Sequence, residues 1–262
     1  MSLPLPIVGF FVAHWVSSVF FQTFYLHRYG AHRMFKFAPG WERVFHLLTY
    51  LCQGSSFLNP RGYAILHRMH HAYSDTEKDP HSPRVSGNPF TMMNRTRDIY
   101  RDINAGRFPV EERFDGAYPS WPALDRFASR WLSSVLWGVA YSGYYLVFAT
   151  ASWQFLLLPI HFFMGPVHGA IVNWFGHWLG YRNFDQADDS RNTLVFDFLT
   201  LGELFQNNHH RYGSRPNFAV RWFEVDPSFV AVKVFEKLGI LQITSTTKRN
   251  ALVAELSVSP AE

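Results

Sequence analysis

The run LPLPIVGFFVAHWVSSVFFQTFYL, Leu3 to Leu26, carries no formal side-chain charge, and His14 is its only group that ordinarily titrates near neutral pH. It is long enough to cross a bilayer, for which about 20 apolar residues suffice. A secretory leader would open on basic residues and close at a small-residue cleavage site. This run opens uncharged and leads straight into HRYGAH, so it reads as a retained span.

Two further apolar runs, 132–151 and 153–175, are separated only by a neutral turn at Ser152 and read as a helical hairpin. The segment WERVFHLLTYLCQGSSFL, Trp41 to Leu58, is shorter and holds Glu42 and Arg43. If it crossed, the histidines before and after it would lie on opposite faces. It therefore reads as an interfacial amphipathic helix. The N-terminus then lies outside, with Arg28, Arg33, Lys36, Arg43, Arg61 and Arg68 inside, as the positive-inside rule expects.

The expected fold is thus an all-α integral membrane protein with about three transmembrane helices (3–26, 132–151 and 153–175), the interfacial helix and a cytosolic-side helical lobe over 84–130. All 262 residues form one domain, with 244–262 a loose tail. Asn88-Pro89 and Asp226-Pro227 read as helix starts, Gly106 to Pro122 as a loop, and Gly239 as a helix end.

Composition agrees. Apolar residues make up 48% and aromatics 18%, with nine Trp and 26 Phe, as befits a chain with rings at a lipid boundary. A single cysteine, Cys52, excludes internal disulfides and thiolate-held zinc or iron–sulfur sites. The net charge of +4 suits anionic headgroups or phosphorylated substrates; with the basic residues set among Trp, Tyr and membrane-length runs, these are favoured over nucleic acid.

Eight of the thirteen histidines fall into four short groups: His27 and His32 in HRYGAH, His67, His70 and His71 in HRMHH, His177 in NWFGH, and His209 and His210 in QNNHH. Positions i, i+3 and i+4 share a helical face, so the HRMHH trio is expected to converge on one volume. Gln206 with His209 and His210 repeats that spacing, and Asn173 and His177 are four apart. His27 and His32 lie roughly 140° apart on an α-helix, so either they serve two metals or the helix breaks at Gly30. Eight neutral imidazoles exceed what one ion accepts, which makes two metal ions the economical count; spacing does not choose among zinc, copper, iron and nickel. His14, His46 and His161 read as core or interface residues; His168, two helical turns or so before His177, keeps a ligand role as its lesser reading.

HRYGAH, HRMHH, NWFGH and QNNHH, with DPHSP, GYRNF and GELFQNNHH, resemble the histidine boxes of the membrane-bound fatty acyl desaturases, especially the acyl-CoA Δ9 type and its bacterial relatives. The likeness spans roughly residues 10–240. It implies a di-iron centre with His27, His32, His67, His70, His71, His177, His209 and His210 as ligands. It further implies Asn173 positioning a water, and Asp75, Asp79 and Glu203 as carboxylates behind the ligands. Gln206 stands where many members have a ninth histidine: it would ligate through its carbonyl, position a water or leave one iron open.

The implied reaction is O2-dependent insertion of a cis double bond into a long acyl chain, carried as a CoA ester or lipid. Electrons would come from a separate ferredoxin or cytochrome b5 type donor with its reductase. Arg28, Arg61, Arg68, Lys78, Arg84, Arg211 and Arg215 are the cations expected to grip CoA phosphates, lipid headgroups or the donor. The setting would be a bacterial inner membrane, or the ER membrane in a eukaryote, with the site on the cytosolic side. A hydroxylase or ketolase of the same superfamily would use the same ligands, and a membrane metal carrier would instead line a path inside the spans with ionisable groups.

Overall fold

The computed structural model describes residues 5–193 and 197–244, and these are mostly helical. Helix α1 (Leu5–Phe21) runs without interruption into a π-helical segment, Gln22–Ala31, before a short strand β1 (Phe35–Phe37). There follow α2 (Trp41–Gln53), α3 (Pro60–Tyr73), α4 (Pro83–Ser86), α5 (Pro89–Asn104), α6 (Pro122–Ala128), α7 (Trp131–Phe148), α8 (Leu158–Phe162), α9 (Met164–Trp178), α10 (Gln206–Arg211), α11 (Pro227–Lys237) and a strand β2 (Leu241–Ile243). β1 and β2 pair antiparallel, Phe35 opposite Ile243, as a small addition to the expected all-α fold.

The helix starts follow local chemistry. Asn88 accepts a hydrogen bond from the Thr91 amide at 2.9 Å, and Asp226 from the Phe229 amide at 3.0 Å, each with proline at the first helical position. The expected tail at 244–262 falls, apart from Thr244, outside the described residues.

The expected count of three spans needs correction. Among the described residues one helix, Leu5–Ala31, is long and apolar enough to cross a membrane. The 153–175 run divides into Ser152–Phe162 and Met164–Trp178, bent by 77° at a break between them. Helix α7 has 18 residues, about 27 Å at 1.5 Å each, and its apolar residues are diluted by Ser133, Ser134, Gly138, Ser142 and Gly143. Its outer side is apolar all the same, with Val139, Leu146 and Val147 exposed. Helix α2 is amphipathic, burying Phe45, His46, Thr49 and Tyr50 against the core while Val44, Leu47 and Leu51 face outward.

Two apolar clusters hold these parts together. Phe24, Phe35, Phe45, Phe205, Phe218, Val232 and Leu241 join α1's π-helical end, the strands, α2 and α11. Ile65, Leu66 and Met69 of α3 pack with Ile103 and Phe114, docking the 84–130 lobe. Gly62 permits the close approach, since a Cβ there would lie 2.7 Å from Tyr100 of α5 and closer still to Asn104. Together the clusters fix α3 and the π-helix side by side, which is where the histidines stand.

Candidate metal centre

The π-helix resolves the problem of His27 and His32. Its hydrogen bonds run from i to i+5, and the His32 amide donates to the His27 carbonyl at 3.1 Å. Residues five apart therefore come onto one face without a break at Gly30. Both rings join one group with His67, His71 and His209, whose ligating nitrogens all lie within 4.8 Å of one another. The HRYGAH and QNNHH segments thus meet: His27 Nε2 lies 3.0 Å from His209 Nε2.

The HRMHH trio does not converge on one volume as its spacing suggested. His67 and His71, four apart, face the first group, and His70 turns to a second with His177 and His210. α10 divides the same way, since consecutive residues on a helix point about 100° apart. The sequence-neighbours His70/His71 and His209/His210 therefore feed two adjacent seats, one with five imidazoles and one with three.

Carboxylates set the direction of four of these rings. His27 Nδ1 lies 2.6 Å from Glu203 Oε2, His70 Nδ1 3.0 Å from Asp79, His177 Nδ1 3.0 Å from Asp75 Oδ2, and His210 Nδ1 2.9 Å from Asp188 Oδ2. Asp75, Asp79 and Glu203 were expected behind the ligands; Asp188 was not. It lies in the charged run DQADDS, where nothing in the spacing singles it out. Burial pushes the Asp75 carboxyl up, but the His177 ring, the Asp189 amide and the Ser82 hydroxyl outweigh it and bring its pKa down to about 2. Asp79 and Asp188 are held well below the usual carboxylate range, burial again being opposed, chiefly by His70 and His210 respectively.

The donor set fits metal ions. A neutral imidazole whose Nδ1–H donates to a carboxylate presents a bare lone pair at Nε2. The Nε2 atoms face one another: His70 and His210 Nε2 are 3.2 Å apart, His71 and His209 3.0 Å, His67 and His71 2.9 Å, His32 and His67 2.7 Å. Two nitrogens about 2.1 Å from one ion and at right angles to each other stand about 3.0 Å apart. His177 Nε2 is buried with no hydrogen-bond partner. Cations between these atoms would turn mutual repulsion into coordination.

Beside the seats lies an apolar cavity of about 470 Å³, whose wall includes His67, Asn173, Glu203 and Gln206. The Gln206 amide donates to the Glu203 carbonyl at 2.7 Å. Its side chain lies over Gly176, where a Cβ would sit 2.4 Å from Gln206 Cγ. His81 of the DPHSP motif also lines this cavity. Both of its nitrogens are buried and unpartnered, its ring centre is 4.3 Å from that of His70, and it groups with His70 and Asp79. Its isolation from the HxxHH spacing had hidden it.

Several of the cations expected to grip a headgroup are engaged elsewhere. Arg28 is wholly buried, with Nη2 2.7 Å from Asp226 Oδ2, Nη1 3.2 Å from Glu203 Oε1 and its guanidinium stacked 3.9 Å over Phe218. Arg68 donates to the carbonyls of Gly30, Ala31, Phe114 and Gly116, tying the π-helix to the lobe. Arg61 binds the Ile103 carbonyl, Asp115 and Tyr118. Arg215 is buried. Arg84 forms a fork with Asp189, while Lys78 and Arg211 lie over Tyr73 and Tyr212. Arg97, not foreseen, lines the cavity.

A family profile described as fatty acid desaturase matches residues 2–227. The sn-1 stearoyl-lipid 9-desaturase of Anabaena variabilis is 28% identical over 231 residues, covering 87% of this chain and 79% of that protein. The hex-5-enoyl-[acyl-carrier protein] acetylenase of Moorena producens is 26% identical, covering 89% and 75%. The acyl-CoA 5-desaturase of Anemone leveillei is 26% identical, covering 92% and 74%.

Proposed function

Because this chain belongs to the fatty acid desaturase family, we propose that it is an O2-dependent desaturase that introduces a cis double bond into a long acyl chain through two iron ions. The observation that carries this reading is the pair of imidazole groups, five and three, beside an apolar cavity. When bound, the irons would supply the activation of O2 and the removal of hydrogen from unactivated methylenes. In balance, one O2, two protons and two external electrons convert adjacent methylenes into an alkene and two waters.

The chain's own residues have distinct parts in this. His27, His32, His67, His71 and His209 would hold one ion; His70, His177 and His210 the other. Glu203, Asp79, Asp75 and Asp188 keep the Nδ1 protons of His27, His70, His177 and His210 in place and so keep Nε2 free. Eight neutral ligands leave the positive charge of the ions to these buried acids. The cavity would hold the acyl chain in an extended form against His67, Asn173 and Gln206, and its apolar walls would exclude bulk water.

The three relatives named above act on lipid-, acyl-carrier-protein- and CoA-linked chains by their names. Of these carriers a lipid headgroup or CoA suits a membrane-associated chain with an arginine at its cavity wall. A ferredoxin or cytochrome b5 type donor would deliver the electrons at the cytosolic face. Incubating membranes that contain the protein with stearoyl-CoA or stearoyl-lipid, reductant, donor and 18O2 tests the reading. Labelled water and an unlabelled alkene are expected; a labelled alcohol without alkene would mark a hydroxylase.

A further inference from the structure

Away from the metal seats, the buried side of α1 carries a line of polar side chains, each with an atom that makes no well-formed hydrogen bond. His14, Ser18 and Gln22 stand four residues apart and so share one face as α1 passes into its π-helical end. All three are buried, and His14 Nε2, Ser18 Oγ and Gln22 Oε1 each lack a hydrogen-bond partner. Gln22 lines the large cavity at one end of the row. His14, at the other, lies with Nδ1 2.6 Å from His161 Nδ1 of α8, and His161 Nε2 lies 2.9 Å from the Tyr145 hydroxyl of α7. His14 and His161 are therefore not ordinary core histidines; they pair with each other across three helices.

We propose that this face of α1 holds a file of water molecules connecting the cavity to the His14–His161–Tyr145 relay. Buried polar atoms in native proteins are bonded to protein or to ordered water, and here protein supplies little: the Cys52 backbone lies near the His14 ring and Tyr63 near the Gln22 side chain, and the three named atoms still lack a well-formed bond. The spacing suits water: four helical residues rise about 6 Å, and one water bonded at about 2.8 Å on each side spans nearly that distance. His168 adds two more unpartnered buried nitrogens on the cavity wall. A water site needs about two to four polar partners, which this wall and stripe provide in an otherwise apolar bundle.

The relay can run in either sense with both rings neutral. When Tyr145 donates to His161 Nε2, and His161 Nδ1–H donates to His14 Nδ1, His14 Nε2 carries a proton toward the file. When the chain reverses, His14 Nε2 is a bare acceptor. The reversal moves no net proton, because Tyr145 keeps its own; it lets His14 Nε2 either donate to the nearest water of the file or accept from it. The file's use rests on the desaturase reading, in which the cavity releases two waters per alkene formed. Among the described residues, ionisable groups in the apolar helices are rare enough that three histidines from α1, α8 and α9 mark a pathway.

Radiolytic hydroxyl labelling of the detergent-solubilised full chain tests the file without requiring turnover. Bound water generates radicals in place, so His14, His161 and Tyr145 should be labelled several-fold faster than Phe24 and Phe35, which match the burial of His161 and Tyr145 but stand in the dry aromatic core. Ser18→Val, which removes the hydroxyl and fills the space beside it, should bring His14 down to the Phe24 rate. Wild-type labelling of His14 no faster than Phe24 would overturn the proposal, as would fast labelling of His14 undiminished in a correctly folded S18V protein. If labelling succeeds but no alkene forms in any assay, the file stands and the desaturase reading falls.

Discussion

His177 Nδ1 lies 3.0 Å from Asp75 Oδ2, and the same carboxylate oxygen accepts the Asp189 amide at 2.8 Å. One buried acid thus orients a ring of α9 and anchors the loop that carries Asp188, which in turn orients His210. Asp75 sits at positive φ, a conformation that this double duty over-determines. In Asp75→Asn the acceptor is weakened and the His177 tautomer is no longer fixed. Affinity for the second metal ion is expected to fall by about 10–100-fold, read by competing a chelator against the loaded protein. Unchanged affinity would show that the pair does not tune the seat.

Among the described residues Arg28 is the most deeply buried arginine, held between Glu203 and Asp226. Arg28→Met leaves two buried carboxylates without their common partner, and breaking such a network costs about 3–5 kcal/mol. A large drop in thermal unfolding temperature is expected in detergent. Arg84→Met, which removes an exposed fork to Asp189, should change it little. A reversed order would mean that the π-helix is held by something other than this network.

Gly176→Ala would drive a methyl into Gln206 at 2.4 Å and shift α10, the helix that feeds both seats. Loss of bound metal is expected with the global fold retained, measured as metal content alongside circular dichroism. Gly143→Ala on α7 meets nothing within 4 Å and should be neutral, or stabilising by up to about 1 kcal/mol. Full metal content in G176A would show that α10 can slide without cost.

The histidine boxes could be read from the sequence because imidazole clustering at helical spacing survives any packing arrangement. What spacing could not reveal was the partition. An α-helical reading placed His27 and His32 on different faces, and only the π-helix, whose i to i+5 register is invisible to a 3.6-residue period, unites them. His70 and His71 were read as convergent, yet two seats lie side by side and the helix serves both. Asp188 and His81 act through tertiary contacts that leave no periodic trace. The arginines were read as grips for phosphates, headgroups or the donor because a charge near a membrane face suits an anionic partner. Arg28 and Arg68 instead satisfy buried carboxylates and carbonyls, a role set by partners distant in the chain.

Acid should destabilise the metal-free protein well above the range of its carboxylates. Burial, together with neighbouring rings, holds His32, His67, His71 and His209 well below the ordinary histidine value of 6.5, and lowers His210 to about 4 and His81 to about 3. The unfolded chain then takes up protons near pH 6.5 that the folded chain refuses. Stability therefore falls as pH drops from 6.5 toward about 4. His70 moves the other way, its desolvation being outweighed by Asp79: it adds stability as pH falls toward 6.5 and contributes no slope below that. Denaturant titrations of the metal-free protein at pH 7, 6 and 5 check the slope; a flat profile would mean that the rings are already protonated when folded.

Anomalous diffraction, or an equivalent element-specific density map, at the iron edge on protein purified with its native metal is the most direct measurement. Two peaks are expected. One should lie among His27, His32, His67, His71 and His209, and the other among His70, His177 and His210. A single peak, or peaks away from these nitrogens, would contradict a two-ion centre built from histidines that lie far apart in the chain.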